Sequence, residues 1–304
     1  MIVLVTGSSG LVGLSLQKIV NQNKENSKHS FHFITRKDCD LTDSKSVYSI
    51  FNRIKPDIVI HLASGVGGVY ENMNNNYNLF LQNIRINTNI IDACYINKIK
   101  TFISVLSTCI FPDKNVTYPL TADQIHNGEP HYSNNGYAYS KRILHLGSLF
   151  LKENGCNVVN LIPTNLYGEN DNYNIKKAHV IPALIHKAYT AISELKINGS
   201  GNALRQFLYV DDLSNIIYSK IDSYESGDYI ISPPPSKEIS ICELVNKITT
   251  IIKYKGVIIY DTSKVDGQIK KTALSNIDYD FTDIDIGLKN TIDYFINNYD
   301  KLRI

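Results

Sequence analysis

The chain has 304 residues, 43% of them hydrophobic and 20% charged, with a formal net charge of +2 at pH 7. This length suits one large domain, or a large domain with a smaller lobe, and the near-neutral charge argues against nucleic-acid or membrane-surface binding. No run of about 18 apolar residues is present to span a bilayer, and the apolar start is too short and charge-free for a signal peptide. Five cysteines (Cys39, Cys94, Cys109, Cys156, Cys242) contain no CxxC pair. That excludes the usual zinc spacings and argues against a disulfide framework. The expectation is a cytoplasmic protein with reduced thiols and no metal.

In chain order, residues 2–5 read as a short apolar strand, 11–20 as a helix, 31–35 as a strand and 44–54 as a helix opened by Asp43. Residues 57–61 follow as a third strand. Strand and helix in alternation predict a parallel sheet with right-handed crossovers. Further buried strands are expected at 101–106 and 158–162, with helices near 85–97 and 137–154. Beyond about residue 165 the rhythm loosens into short elements broken by Gly168, Gly199, Gly201 and the prolines 233–235. The fold class is therefore α/β: a Rossmann-type doubly wound parallel sheet over residues 1–165, to which some later segments return. A smaller C-terminal α/β substrate lobe occupies most of 166–304.

The first strand runs into Gly7, Ser9, Gly10, Leu11, Val12 and Gly13 at the start of the first helix. Gly7 permits a tight turn, Gly10 lets the backbone approach a pyrophosphate, and Gly13 lets helix and strand pack closely. The phosphates would sit at the positive helix N-terminus. A glycine pattern is weak alone; strand–turn–helix context at the N-terminus strengthens it. At the end of the second strand, where an NAD site carries an acidic residue for the ribose hydroxyls, stand Thr35, Arg36 and Lys37. Cations there favour a 2′-phosphate, hence NADP(H), although a solvated basic turn would look the same. Asp40 and Leu41 follow at a place suited to the adenine.

Hydride transfer to a ketone leaves an alkoxide that needs a proton. A tyrosine can supply it if a lysine and the cofactor's positive charge lower its pKa while a serine hydroxyl holds the carbonyl. Tyr-x-x-x-Lys puts both groups on one helical face, but among 20 tyrosines it recurs at Tyr137/Lys141, Tyr173/Lys177 and Tyr260/Lys264. Only Tyr137 and Lys141 open a helix that follows a strand ending near Ser107, and ligands of doubly wound sheets sit at strand C-termini. The expected triad is Ser107, Tyr137 and Lys141, the other two pairs being surface residues.

With these pieces in place the chain resembles the extended short-chain dehydrogenase/reductase family of nucleotide-sugar enzymes. Within it, the chain is similar to the GDP-L-fucose synthase group of GDP-4-keto-6-deoxy-mannose 3,5-epimerase/4-reductases. The resemblance covers residues 1–290 and is strongest in the blocks 106–112, 125–128, 136–142 and 162–168; His61 to Ala63, His179 to Pro182, Arg205 to Phe207 and Asp266 to Lys271 also fit. It implies that Cys109 and His179 exchange the protons at C3 and C5 of the keto sugar, a plausible role because a neighbouring ketone acidifies C–H bonds and a thiolate is a suitable base. It further implies cofactor contacts from Leu62, Ala63 and His179. Substrate contacts would come from Thr108, Asn165, Val180 and Arg205, with Lys187 and Lys271 adding charge near the diphosphate. The partners implied are a GDP-linked 4-keto sugar and a second copy of the chain, paired through the helices near 85–97 and 137–154, in surface-glycan synthesis.

Two segments depart from the family pattern. Prolines 233–235 replace a glycine-containing turn, and Asn74, Asn75 and Asn76 stand in a loop near the sugar that often carries proline. Both put the identity of the sugar in question. The same motifs would serve a C4-reductase without epimerase activity, acting for example on a GDP-4-keto-heptose. A UDP- or dTDP-sugar 4-epimerase and a non-catalytic NADP sensor fit the basic turn and the triad less well.

Overall fold

The computed structural model describes residues 1–264, 266–302 and 304. The first half runs β1 (Ile2–Thr6), α1 (Leu11–Gln22), β2 (Ser30–Phe33), α2 (Ser44–Ile54), β3 (Ile58–His61), α3 (Val69–Asn74), α4 (Asn76–Ile96), β4 (Thr101–Val105), α5 (Asn135–Glu153) and β5 (Asn157–Pro163). The second half runs β6 (Asn165–Tyr167), α6 (Val180–Thr190), β7 (Glu194–Asn198), β8 (Leu204–Arg205), β9 (Phe207–Tyr209) and α7 (Val210–Lys220). It closes with β10 (Gly227–Ile231), β11 (Ile239–Ser240), α8 (Ile241–Ile252), β12 (Val257–Asp261) and α9 (Ile284–Asn298).

Six strands form one parallel sheet in the order β10-β5-β4-β3-β1-β2. Both faces are covered, so the central strands are nearly continuous apolar runs whose side chains alternate between two cores. Leu4, Val59, Phe102 and Val158 pack with Phe51 of α2, Ile90 of α4 and Leu144 of α5. Val3, Val5, Ile58, Ile60, Ile103 and Val159 face the other way, onto Leu16 of α1 and Leu213 and Ile217 of α7. Fully burying one such side chain stabilises the fold by about 1.5–3 kcal/mol. The doubly wound α/β class expected from the sequence is the one observed.

A third core joins α6, α8 and α9 to the two-stranded pieces β7–β12 and β6–β9, through Leu184, Leu195, Phe207, Leu244, Leu288 and Phe295. Tyr173 belongs to it: fully buried against the Phe295 ring, 4.8 Å away centroid to centroid, it is not the surface residue expected. Tyr260 is also partly buried.

Two further differences have local causes. Helix α4 starts at Asn76, about two and a half turns before the expected stretch near 85, because its inward face carries Asn83 and Asn87 among Leu79, Ile86 and Ile90, which interrupts the apolar period. Both asparagines are buried with partners: Asn83 Oδ1 accepts from the Gly65 N–H at 2.7 Å, and Asn87 Nδ2 donates to the Ser140 carbonyl at 3.0 Å. Residues 74–76 are accordingly no loop but the joint between α3 and α4. There Asn76 accepts from the Gly136 N–H at 2.9 Å, tying the joint to the start of α5.

Candidate active site

The sheet's strand C-termini open into a cleft of about 870 Å³ between the sheet domain and the C-terminal segments. Every residue that the sequence nominated for catalysis, cofactor or substrate lines it.

At one end lies the glycine loop. Gly7 has φ +71°, and a Cβ there would lie 2.7 Å from the Ala63 nitrogen; one at Gly13 would lie 2.4 Å from the Gly7 carbonyl oxygen. The turn therefore tolerates no side chain at either position. Helix α1 begins at Gly10 with no side-chain cap and no acid in its first turn, which leaves its N–H groups to an anion. At the tip of β2, Arg36 is exposed in the cleft wall. The neighbouring carboxylates are engaged elsewhere: Asp38 accepts from the Thr35 N–H and hydroxyl at 2.8 and 2.7 Å, and Asp40 accepts from Thr42 at 3.0 and 2.8 Å. A dinucleotide with a 2′-phosphate fits this end.

Beneath the loop runs a buried polar chain that the sequence did not reveal. Thr6 Oγ1 accepts from the Leu62 and Ala63 N–H groups, both at 3.2 Å, and lies 2.9 Å from His61 Nδ1; His61 Nε2 lies 3.1 Å from Asn87 Oδ1. Burial, then the nearby Lys141 charge, lowers the His61 pKa to about 3. The ring is neutral and holds the β3 end in place between β1 and α4.

The middle of the cleft holds the triad. Ser107 ends the stretch after β4 and caps the short turn Thr108–Ile110, its Oγ accepting from the Cys109 N–H at 3.2 Å. The Ser64 and Ser107 side chains stand beside Tyr137 and pull its pKa down, by less than burial raises it. Lys141, one helical turn on, is 2% exposed; its Nζ donates to the Val105 carbonyl at 2.7 Å and lies 5.8 Å from the centre of the Tyr137 ring. Burial lowers its pKa to about 8, against a smaller upward pull from Cys109. The Tyr137 pKa is raised, by burial first and then by the Cys109 charge. The lysine ammonium is engaged with a backbone carbonyl, so in the protein alone the phenol stays protonated; the lowering expected from the sequence involves the cofactor's positive charge as well as the lysine.

The far side gathers residues distant in sequence. Cys109 is half-buried; Asn134 Nδ2 donates to its sulfur at 3.0 Å and Lys271 Nζ at 3.2 Å. Burial alone would raise the thiol pKa, but Lys271, the Ser107 hydrogen bond and Arg205 outweigh it, and the result lies below the usual value. His179 is the first residue before α6. Its ring is open to the cleft yet ringed by protein, and burial with the Lys271 charge lowers its pKa. Arg205 donates to the Leu204 and Gln268 carbonyls at 2.7 and 2.6 Å, and Asn165 to the Gln206 carbonyl at 2.9 Å. Val180 and Thr108 line the wall between, and the Lys187 ammonium lies 3.3 Å from the Lys196 carbonyl, its pKa lowered by burial. Lys271, expected to add charge near the diphosphate, has its ammonium on the Cys109 sulfur. Asn134, Ser64 and Asn83 were missed; nothing in their local pattern marks them, since each acts through a fold contact.

The model of the NAD dependent epimerase/dehydratase family matches residues 3–231. The chain belongs to that family. Among its relatives in the family, a GDP-L-fucose synthase of Dictyostelium discoideum is 44% identical, covering 99% of this chain and 97% of that protein. A probable GDP-L-fucose synthase of Drosophila melanogaster is 38% identical, over 99% of each. A GDP-L-fucose synthetase crystal structure from Naegleria fowleri, bound to NADP, superposes with a TM-score of 0.91 at 37% identity, over 100% of this chain and 95% of that one. Among the described residues no helix is long and apolar enough to cross a membrane.

Proposed function

We propose that this family member is an NADPH-dependent C4-reductase of a GDP-linked 4-keto sugar that also epimerises C3 and C5 in the same cleft, yielding GDP-L-fucose or a related sugar for surface glycans. What carries the reading is the convergence of Ser107, Tyr137, Lys141, Cys109 and His179 on one cleft, next to a dinucleotide site. The names of the full-length relatives agree with it, and the NADP-bound relative supports the choice of cofactor.

Bound NADPH would supply the hydride that reduces C4. The chain's own residues do the rest. Cys109, as thiolate, takes a proton from carbon beside the ketone; the electron pair left behind goes into the enolate, and a proton returns from the opposite face, with His179 as the partner group. Ser107 then holds the C4 carbonyl, and Tyr137 protonates the alkoxide as it forms. Lys141 sits where it steadies Tyr137 and reaches the ribose of the cofactor, and Arg205 is placed for the substrate diphosphate.

We further infer that residues 1–165, with α7 and β10, bind the cofactor, that the remaining segments bind the nucleotide sugar, and that the protein is cytoplasmic. Pairing of two copies through α4 and α5 would cover Tyr95, Ile96, Leu146 and Phe150, which are 44–62% exposed. The test is NADPH oxidation on mixing with GDP-4-keto-6-deoxy-mannose, with the product configuration read by NMR. An L-galacto product is expected. Oxidation with the D configuration kept at C3 and C5 would mean a C4-reductase alone, of a sugar such as a 4-keto-heptose; no oxidation would overturn the substrate.

A further inference from the structure

Lys271 is held in an unusual way for a residue meant to meet a solvated diphosphate. It is 9% exposed, and none of the ion pairs among the described residues includes it. The backbone on both sides is pinned. Tyr118 donates to the Lys270 carbonyl at 2.9 Å, the Leu120 N–H donates to the Thr272 carbonyl at 2.8 Å, and Gln206 both accepts from the Ala273 N–H at 2.7 Å and donates to its carbonyl at 3.1 Å. Gln206, 1% exposed, also donates to the Pro233 carbonyl at 2.6 Å, so the proline turn after β10 is part of the same clamp. The clamp sets the ammonium 3.2 Å from the Cys109 sulfur.

An ammonium has three donors and no acceptor, so at that distance the sulfur must be the accepting group. A buried cation with no carboxylate needs an anion within reach, and the sulfur is the group it touches. We propose that Lys271 is a positioning residue for the epimerisation half of the reaction: its ammonium is the counter-ion that keeps Cys109 as thiolate, and Asn134 fixes the direction of the sulfur lone pair. The inference rests on the reading of Cys109 as the epimerising base. It gives the clamp a role in catalysis, because a shift of Ala273 or Gln206 moves the charge that makes the base.

The charged and titratable groups facing Cys109 are Lys271 from the clamped segment, Arg205 from β8, and Tyr137 and Lys141 from α5. Arg205 and Lys141 act in the same direction as Lys271, but they donate to the Leu204 and Gln268 carbonyls and to the Val105 carbonyl. Lys271 alone among the three has its ammonium in hydrogen-bond contact with the sulfur.

The test is alkylation of the substrate-free protein by iodoacetamide across pH, with each cysteine followed by peptide mass analysis so that the half-exposed Cys242 is read separately. Wild-type Cys109 should reach half its maximal rate below the free-thiol midpoint of about 8.5. Lys271→Met should raise that midpoint, slowing alkylation at pH 7 by about tenfold per unit, and Lys271→Arg should restore it. A wild-type midpoint at or above that of a free thiol, or an unmoved midpoint in Lys271→Met, overturns the proposal; if that variant does not fold, the wild-type titration decides. Failure of the underlying reading shows elsewhere: Cys109→Ser would keep its solvent exchange at C3 and C5, whatever the alkylation midpoints do.

Discussion

The two sides of the cleft, the one proposed for reduction and the one proposed for epimerisation, are assembled in different ways. Ser107, Tyr137 and Lys141 come from the end of β4 and the first turns of α5, two elements packed side by side, and their titration is set mainly by burial. Cys109, His179 and Lys271 come from a short turn, a helix start and a clamped loop that are up to 162 positions apart, and Cys109 is tuned by charge reaching across those segments. The first side tolerates remote change as long as the sheet stands. The second depends on the C-terminal segments being docked.

The largest effects should separate the two sides. Tyr137→Phe is expected to slow reduction by about 10²–10⁴-fold while NADPH still binds, measured by single-turnover oxidation and by fluorescence titration; full turnover would break the assignment. Cys109→Ser should lose deuterium exchange at C3 and C5 far more than reduction of an already epimerised sugar. Equal loss of both would make Cys109 a packing residue.

The burial of Lys141 predicts a stability effect. Its folded pKa of about 8 lies below the 10.5 of an unperturbed lysine, so the unfolded chain binds more protons between those values and stability from this group rises with pH across that window. Below pH 8 the buried charge costs about 3 kcal/mol. Lys141→Met should therefore be more stable than wild type in urea at pH 7, an advantage that shrinks from pH 8 to 10.5 even though activity falls. At the cofactor end, Arg36→Ala should raise the NADPH dissociation constant about tenfold, as expected for loss of one charge-assisted hydrogen bond, and leave NADH unchanged. The smallest expected effect is on pH dependence: with Cys109 as the proposed base, exchange at C3 and C5 should rise with pH and level off below the midpoint of an ordinary thiol, because its pKa is lowered, burial being outweighed by Lys271, Ser107 and Arg205.

The same contrast explains what could be read from the chain. β1, the Gly7–Gly13 loop and α1 are legible because a tight turn, an apolar strand and a helical period are all local. Ser107 with Tyr137 and Lys141 followed from helix spacing and strand ends. The start of α4 was hidden because Asn83 and Asn87 are polar residues paid off by partners on β3, its following loop and α5. Tyr173 reads as polar surface but fills a core that only the packing of α6 and α9 creates. The contact of Lys271 with Cys109 depends on Gln206, Leu120 and Tyr118 closing on one loop, and no spacing in the sequence encodes that.

The central claim, two chemistries in one cleft, is tested most directly by turnover of GDP-4-keto-6-deoxy-mannose with unlabelled NADPH in heavy water. Deuterium at C3 and C5 of the product and protium at C4 are expected. Protium retained at C3 and C5 while NADPH is consumed would contradict that claim and leave a C4-reductase alone.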